Sequence, residues 1–185
     1  MHTFSFKQIR TLLIAVIAVA LLAGPMSVQA QDVANGSATA TLLAALTVTA
    51  TNALAFGNVY QGISKTVANN VAQAGVFTIA GAADAQISIY MQLPEYLQGG
   101  VGNDRMVVSF STTDATVDST ANVDPTTPGA GGWDNINPHA FPTATRIGGG
   151  GSAAIFLGGQ VFPSVNQTAG AYSADIVLTV SYTGS

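Results

Sequence analysis

The chain has no cysteine in its 185 residues. That excludes a disulfide framework, thiol catalysis and any cysteine-ligated metal. Charge is also scarce, with DEKR at 8% of the residues. Five residues are Lys or Arg, and two of these, Lys7 and Arg10, lie in the first ten positions. From Gln31 onward Lys65, Arg105 and Arg146 face nine acids, a net charge of −6. Such a chain has no basic patch for nucleic acid or an anionic lipid surface. The histidines are His2 and His139 alone, so imidazole chemistry has almost nothing to work with. One long apolar run exists, Leu12–Ala23, and at twelve residues it falls short of the ~20 that a membrane helix needs.

That short run sits where a secretory signal would place it. Lys7 and Arg10 give a positive start, Gly24-Pro25 breaks the apolar core, and Ser27-Val28-Gln29-Ala30 offers small residues before a cut at Gln31. Residues 1–30 are therefore expected to be a signal peptide, and the mature chain, 31–185, to be exported with no membrane span left after cleavage. Its length suits one domain with a real core.

The abundant residues are Ala, Thr, Gly, Val and Ser, and strand patterns dominate. Val76–Ala80 reads as a strand closed by Gly81. Gln86–Leu93 puts Ile87, Ile89, Met91 and Leu93 on one face and ends at Pro94. Arg105–Thr112 sets Met106, Val108 and Phe110 against Val107. Ala153–Leu157 and Gln160–Phe162 flank Gly158-Gly159 and read as a hairpin or bulged turn. Tyr172–Tyr182 alternates over eleven residues, the pattern of a strand with one buried face. Thr113–Gly151, rich in Thr, Asp, Pro and Gly, reads as a long surface insertion with a short strand or turn around Trp133. Together these predict an all-β antiparallel sandwich over residues 46–185.

The stretch Ser37–Thr51 contains no Gly, Pro, Asn or Asp. Fully extended, fifteen residues would reach ~50 Å at about 3.3 Å each, against ~17–20 Å for an ordinary strand. The economical reading gives it two roles. Leu46–Val59 is the first strand of the domain, and residues 31–45 form an N-terminal extension with Ala38, Ala40, Leu42 and Ala44 on one face. An unpaired edge of this kind is a hazard unless another chain supplies the partner, and strand addition is a known mode of recognition. Two other readings remain open: a return onto its own sheet through a bend near Ala44-Ala45, and a helical turn over Leu42–Leu46.

Leu54-Ala55-Phe56-Gly57-Asn58-Val59, Gly158-Gly159-Gln160-Val161 and Gln167-Thr168-Ala169-Gly170-Ala171-Tyr172-Ser173, ahead of a terminal strand ending in Tyr182, resemble a widespread secreted bacterial domain of unknown function. That domain is similar to spore-coat-U-like and chaperone–usher pilin subunits. The resemblance spans most of the mature chain outside Thr113–Gly151. It implies an immunoglobulin-like, pilin-like sandwich completed by a donated strand, passing through the periplasm to the cell surface. A periplasmic chaperone and an outer-membrane usher would be its partners on the way, and identical subunits its neighbours in a homopolymer serving adhesion or biofilm formation. Ala38, Ala40, Leu42 and Ala44 would be the donor side chains. Ile176, Leu178, Val180 and Tyr182 would border the acceptor groove. Many pilins carry a disulfide, and a long Gly-rich insertion is not typical of a slim pilus rod subunit, so this chain departs on both counts.

Catalytic and metal patterns are not in evidence. Asp114, Asp118, Asp124 and Asp134 lack the close spacing of a calcium loop, and His139 is a lone imidazole beside Trp133 and Asp134. No serine has His and acid partners at recognisable spacing. Gly148–Gly151 precedes no helix that could cradle a phosphate. The chain is expected to be neither an enzyme nor a cofactor or metal protein. The alternative function is a self-contained secreted module that uses residues 113–151, with Trp133 and Phe141, to hold a glycan or a protein partner.

Overall fold

The computed structural model describes residues 34–99, 104–128 and 132–184. The signal-peptide reading of residues 1–30 lies outside them, as do Gln31–Val33 of the extension. The chain divides into two units, residues 1–40 and 41–185. Of the first, residues 34–40 are described, and they are exposed without secondary structure.

The second unit is all-β and antiparallel, with no helix among the described residues. Its strands are β1 Thr47–Asn52, β2 Lys65–Val67, β3 Gly75–Ala80, β4 Ile87–Gln92, β5 Tyr96–Gly99, β6 Asp104–Ser109, β7 Ala115–Asp118, β8 Trp133–Ile136, β9 Ser152–Leu157, β10 Gly159–Phe162, β11 Tyr172–Ser173 and β12 Val177–Tyr182. They form two five-stranded sheets, β1-β3-β9-β7-β8 and β11-β5-β6-β10-β2, and a two-stranded ribbon, β12-β4.

Alternation decides what is buried. Ile87 and Met91 of β4 are buried with Ile89 beside them, while Ser88, Tyr90 and Gln92 face out. Met106 and Val108 of β6 point inward, and Arg105, Val107 and Ser109 outward. One apolar core results, in which Phe77, Ile79, Ile87, Met106, Val108, Val117, Ile155, Leu157 and Val161 meet. On the other face of the first sheet Val76, Ala154 and Phe156 form a second buried cluster, so β3 and β9 are covered on both sides.

The structure corrects four sequence expectations. Thr113–Gly151 is not a surface insertion throughout. Its Ala115–Asp118 stretch is β7, buried at every residue and lying between β9 and β8. Further along, Thr145 and Ile147 are buried as well. Gly158-Gly159 is not a hairpin turn: β9 belongs to one sheet and β10 to the other, and the pair of glycines carries the chain between them. Tyr172–Tyr182 is not one strand, because Ala174–Ile176 leave the ladder and separate β11 from β12. Finally, the first strand stops at Asn52. A register irregularity falls between Ala50 and Asn52, and the Asn52 amide donates to the carbonyls of Ala72 and Ala74 at 3.2 and 3.0 Å.

Candidate functional site: an apolar groove open to the core

The break after β1 and the break before β12 create the main surface feature. Ala53–Gln61 runs along one side of a groove of about 1070 Å³, and the segment from Pro163 to Ile176 supplies the other. Neither Ala53–Gln61 nor Ala174–Ile176 belongs to a ladder. The floor is the inner face of the second sheet: Leu97, Met106, Val108, Phe110 and Val161. Leu54, Phe56 and Val59 lean in from the first wall, and Tyr172 and Ile176 from the second, all half-buried against the core. The groove is thus a stretch of sandwich interior that no strand covers.

Polar contacts fix the walls. Ala55 N–H donates to Gln73 O at 2.9 Å and Lys65 Nζ to Asn58 O at 3.0 Å. At one end the walls are joined: Gly62 N–H reaches Ser164 O at 3.1 Å and Gln61 Nε2 reaches Gln167 O at 2.5 Å. Beneath the second wall, Gln167 is buried and its side-chain amide donates to Asp104 Oδ2 at 2.8 Å. Tyr172 Oη lies 2.6 Å from Thr168 O and accepts from Gln167 Nε2 at 2.9 Å. The Thr168 amide and hydroxyl are the main influences holding the Asp104 carboxyl below its ordinary range. The Arg105 amide and the Tyr172 hydroxyl assist, against a desolvation that would raise it. The Gln167–Ser173 motif is therefore the brace of this wall.

The structure spreads the sequence-predicted residues over three environments. Ile176 lines the groove. Leu178, Val180 and Tyr182 pack from β12 against the main core and are not among the groove-lining residues. Tyr182 is an anchor: its hydroxyl donates to Ala44 O at 2.9 Å and accepts from Ala82 N–H at 2.7 Å. Ala44 is therefore tied to the domain, while Ala38, Ala40 and Leu42 are exposed and unpaired, with Leu42 97% exposed. Across Ala34–Ala45 no residue joins a ladder and none is buried. Sequence reasoning missed the wall at Ala53–Gln61 as a wall, since Leu54-Ala55-Phe56 looks like continuing strand. The signal was Gly57-Asn58, with Gly57 at φ 63°, which ends a strand rather than extending it.

Three of the four acids of residues 113–151 accept hydrogen bonds within their own turns. Asp114 accepts from Ser111 N–H at 2.7 Å, Asp118 from Thr120 N–H at 2.7 Å, and Asp124 from Thr126 N–H at 2.9 Å. Hydrogen bonds from the Thr126 hydroxyl and amide lower the Asp124 carboxyl from its ordinary value. His139 Nε2 lies 3.3 Å from Phe110 O. Among the described residues, no group of three or more His, Asp or Glu is arranged to hold a metal.

No family model matches the chain. No curated protein matches it either.

Proposed function

We propose that this protein is a structural subunit of a cell-surface fibre, joined to identical neighbours by donation of its N-terminal segment. The observation that carries the reading is the groove: a sandwich core left uncovered between two walls without ladder partners. Such a surface invites a β-strand, because backbone groups along its walls and apolar pockets on its floor are the two halves of strand-addition recognition.

The same chain carries a segment that could supply one. Ala34–Ala45 has no turn residue after Gly36, is exposed along its length and has no ladder partner. Twelve such residues extend ~40 Å, ample for a wall of nine residues, Ala53–Gln61. Ala38, Ala40, Leu42 and Ala44 alternate along it, with Leu42 as the large anchor. Ala44 is the base of this donor rather than its tip, given its bond to Tyr182. The hydrogen bond from Tyr172 back to Thr168 has the form of a tyrosine corner, a feature of immunoglobulin-like sandwiches. It supports an immunoglobulin-like sandwich; export by the signal peptide and assembly with a periplasmic chaperone and an outer-membrane usher complete the proposal. The alternative, a self-contained module binding through residues 113–151, is weakened because β7 is part of the buried sheet.

Leu42→Asp tests the reading. Leu42 supports nothing in its own domain, so the variant folds and is exported normally. Electron microscopy of material sheared from cells is expected to show fibres for the parent chain and none for the variant, whose subunits elute as monomers or chaperone complexes. Fibres of normal length from the variant would count against donation.

A further inference from the structure

The outward face of the second sheet carries an ordered pattern that the fibre reading leaves unused. Antiparallel register sets Tyr96 opposite Val107 and Val107 opposite Phe162. The three form a row across β5, β6 and β10, and they are 41%, 44% and 42% exposed. Polar residues flank the row on both sides: Gln98 opposite Arg105 on one, Ser109 opposite Gln160 on the other. None of these seven residues is acidic, in a chain where acids outnumber cations three to one beyond residue 30.

Arg105 is the distinctive member. Lys65 and Arg146 are engaged with the backbone carbonyls of Asn58 and Asp84. The Arg105 guanidinium instead lies 5.7 Å over the Tyr96 ring, and among the described residues no carboxylate pairs with it. A guanidinium over an aromatic ring can still receive a carboxylate through two parallel hydrogen bonds. Strands ~4.8 Å apart and a rise of ~3.3 Å per residue put the backbones of Arg105 and Phe162 about 8 Å apart on the diagonal.

We propose that this face binds a carboxylated saccharide, with Arg105 taking the carboxylate, Val107 and Phe162 the apolar face of the ring, and Gln98, Ser109 and Gln160 its hydroxyls. The carboxylate-free Arg105 favours an acidic ligand, and exposed apolar side chains with a hydrogen-bonding rim suit a sugar ring. The proposal is independent of the groove, which opens on the opposite side of the same sheet.

The test is retention of the purified full chain on immobilised polygalacturonate, alginate and hyaluronan, with fully methyl-esterified polygalacturonate as the uncharged control. Binding to at least one acidic polymer is expected, weaker by tenfold or more on the ester where polygalacturonate is the ligand. Arg105→Gln and Phe162→Ser are each expected to weaken binding tenfold or more with circular dichroism and melting unchanged, and Arg105→Lys to restore part of it. Binding to none of the three acidic polymers overturns the proposal. So does equal binding by Arg105→Gln, or a loss of self-association in these variants without a change in glycan retention, which would assign the face to a second copy of the chain.

Discussion

Single residues set what the walls and the crossover can tolerate, and Gly158 is the clearest case. A Cβ there would lie 2.5 Å from Val67 O and 2.8 Å from Asn69 N, both backbone atoms of the segment beside β10. Nothing flexible can yield, so Gly158→Ala is expected to cost about 1–3 kcal/mol, read as a lower urea midpoint with an unchanged slope. Tyr172 acts through hydrogen bonds instead. Tyr172→Phe leaves the Thr168 carbonyl without its donor in a half-buried site, while Gln167 Nε2 keeps Asp104 Oδ2 and Arg105 O as acceptors, a loss of about 1 kcal/mol by the same measurement. Asp104 adds a pH dependence. Its folded carboxyl sits below the ordinary value of 3.8, so its contribution is complete above the unfolded pKa. That contribution fades as pH falls through the lower folded pKa. Urea midpoints between pH 6 and pH 2 are expected to fall less steeply for Asp104→Asn than for the parent. Parallel curves would remove Asp104 from the account.

At the level of elements, β12 and the residues just before β1 hold one another. Tyr182 clasps Ala44 and Ala82, and Gly81 leaves the space: a Cβ there would lie 2.4 Å from the Tyr182 hydroxyl and 2.9 Å from Leu46 Cδ1. Tyr182→Phe removes both hydrogen bonds without removing the ring from the core. Limited proteolysis is expected to cut the parent ahead of Ala44 and the variant also at Ala44–Leu46. An unchanged cleavage pattern would show that the clasp does not define the base of the extension. The elements also show why some of the fold was legible in the sequence and some was not. Strands with one inward face, β4, β6 and β12, announce themselves by period-two alternation. Ala115-Thr116-Val117-Asp118 does not, because it is buried on both faces, with Thr116 accepting from Asn135 N–H across the ladder and Asp118 from Thr120 N–H in the following turn. The paired glycines at 158 and 159 suit a tight turn and a close sheet-to-sheet crossing equally well, and only the tertiary neighbours distinguish them. Of the groove, the alternation of the terminal segment marks Ile176 as an inward residue, while the opposite wall reads as strand and nothing in the sequence signals that Tyr182 anchors the residues before β1.

For the whole molecule, the proposed function would make the uncovered core and the exposed N-terminal segment the two halves of a head-to-tail contact, which grows into a filament where its rotation does not close a ring. The absence of native cysteine allows the contact to be tested directly by placing one cysteine on the donor, Leu42→Cys, and one on the groove, Ile176→Cys, in the same chain expressed in cells. The account expects a ladder of disulfide-linked multimers on non-reducing gels of surface material, collapsing to monomer on reduction and absent from either single variant run as dimers and above. Monomers closed by an internal disulfide, with no ladder, would contradict it.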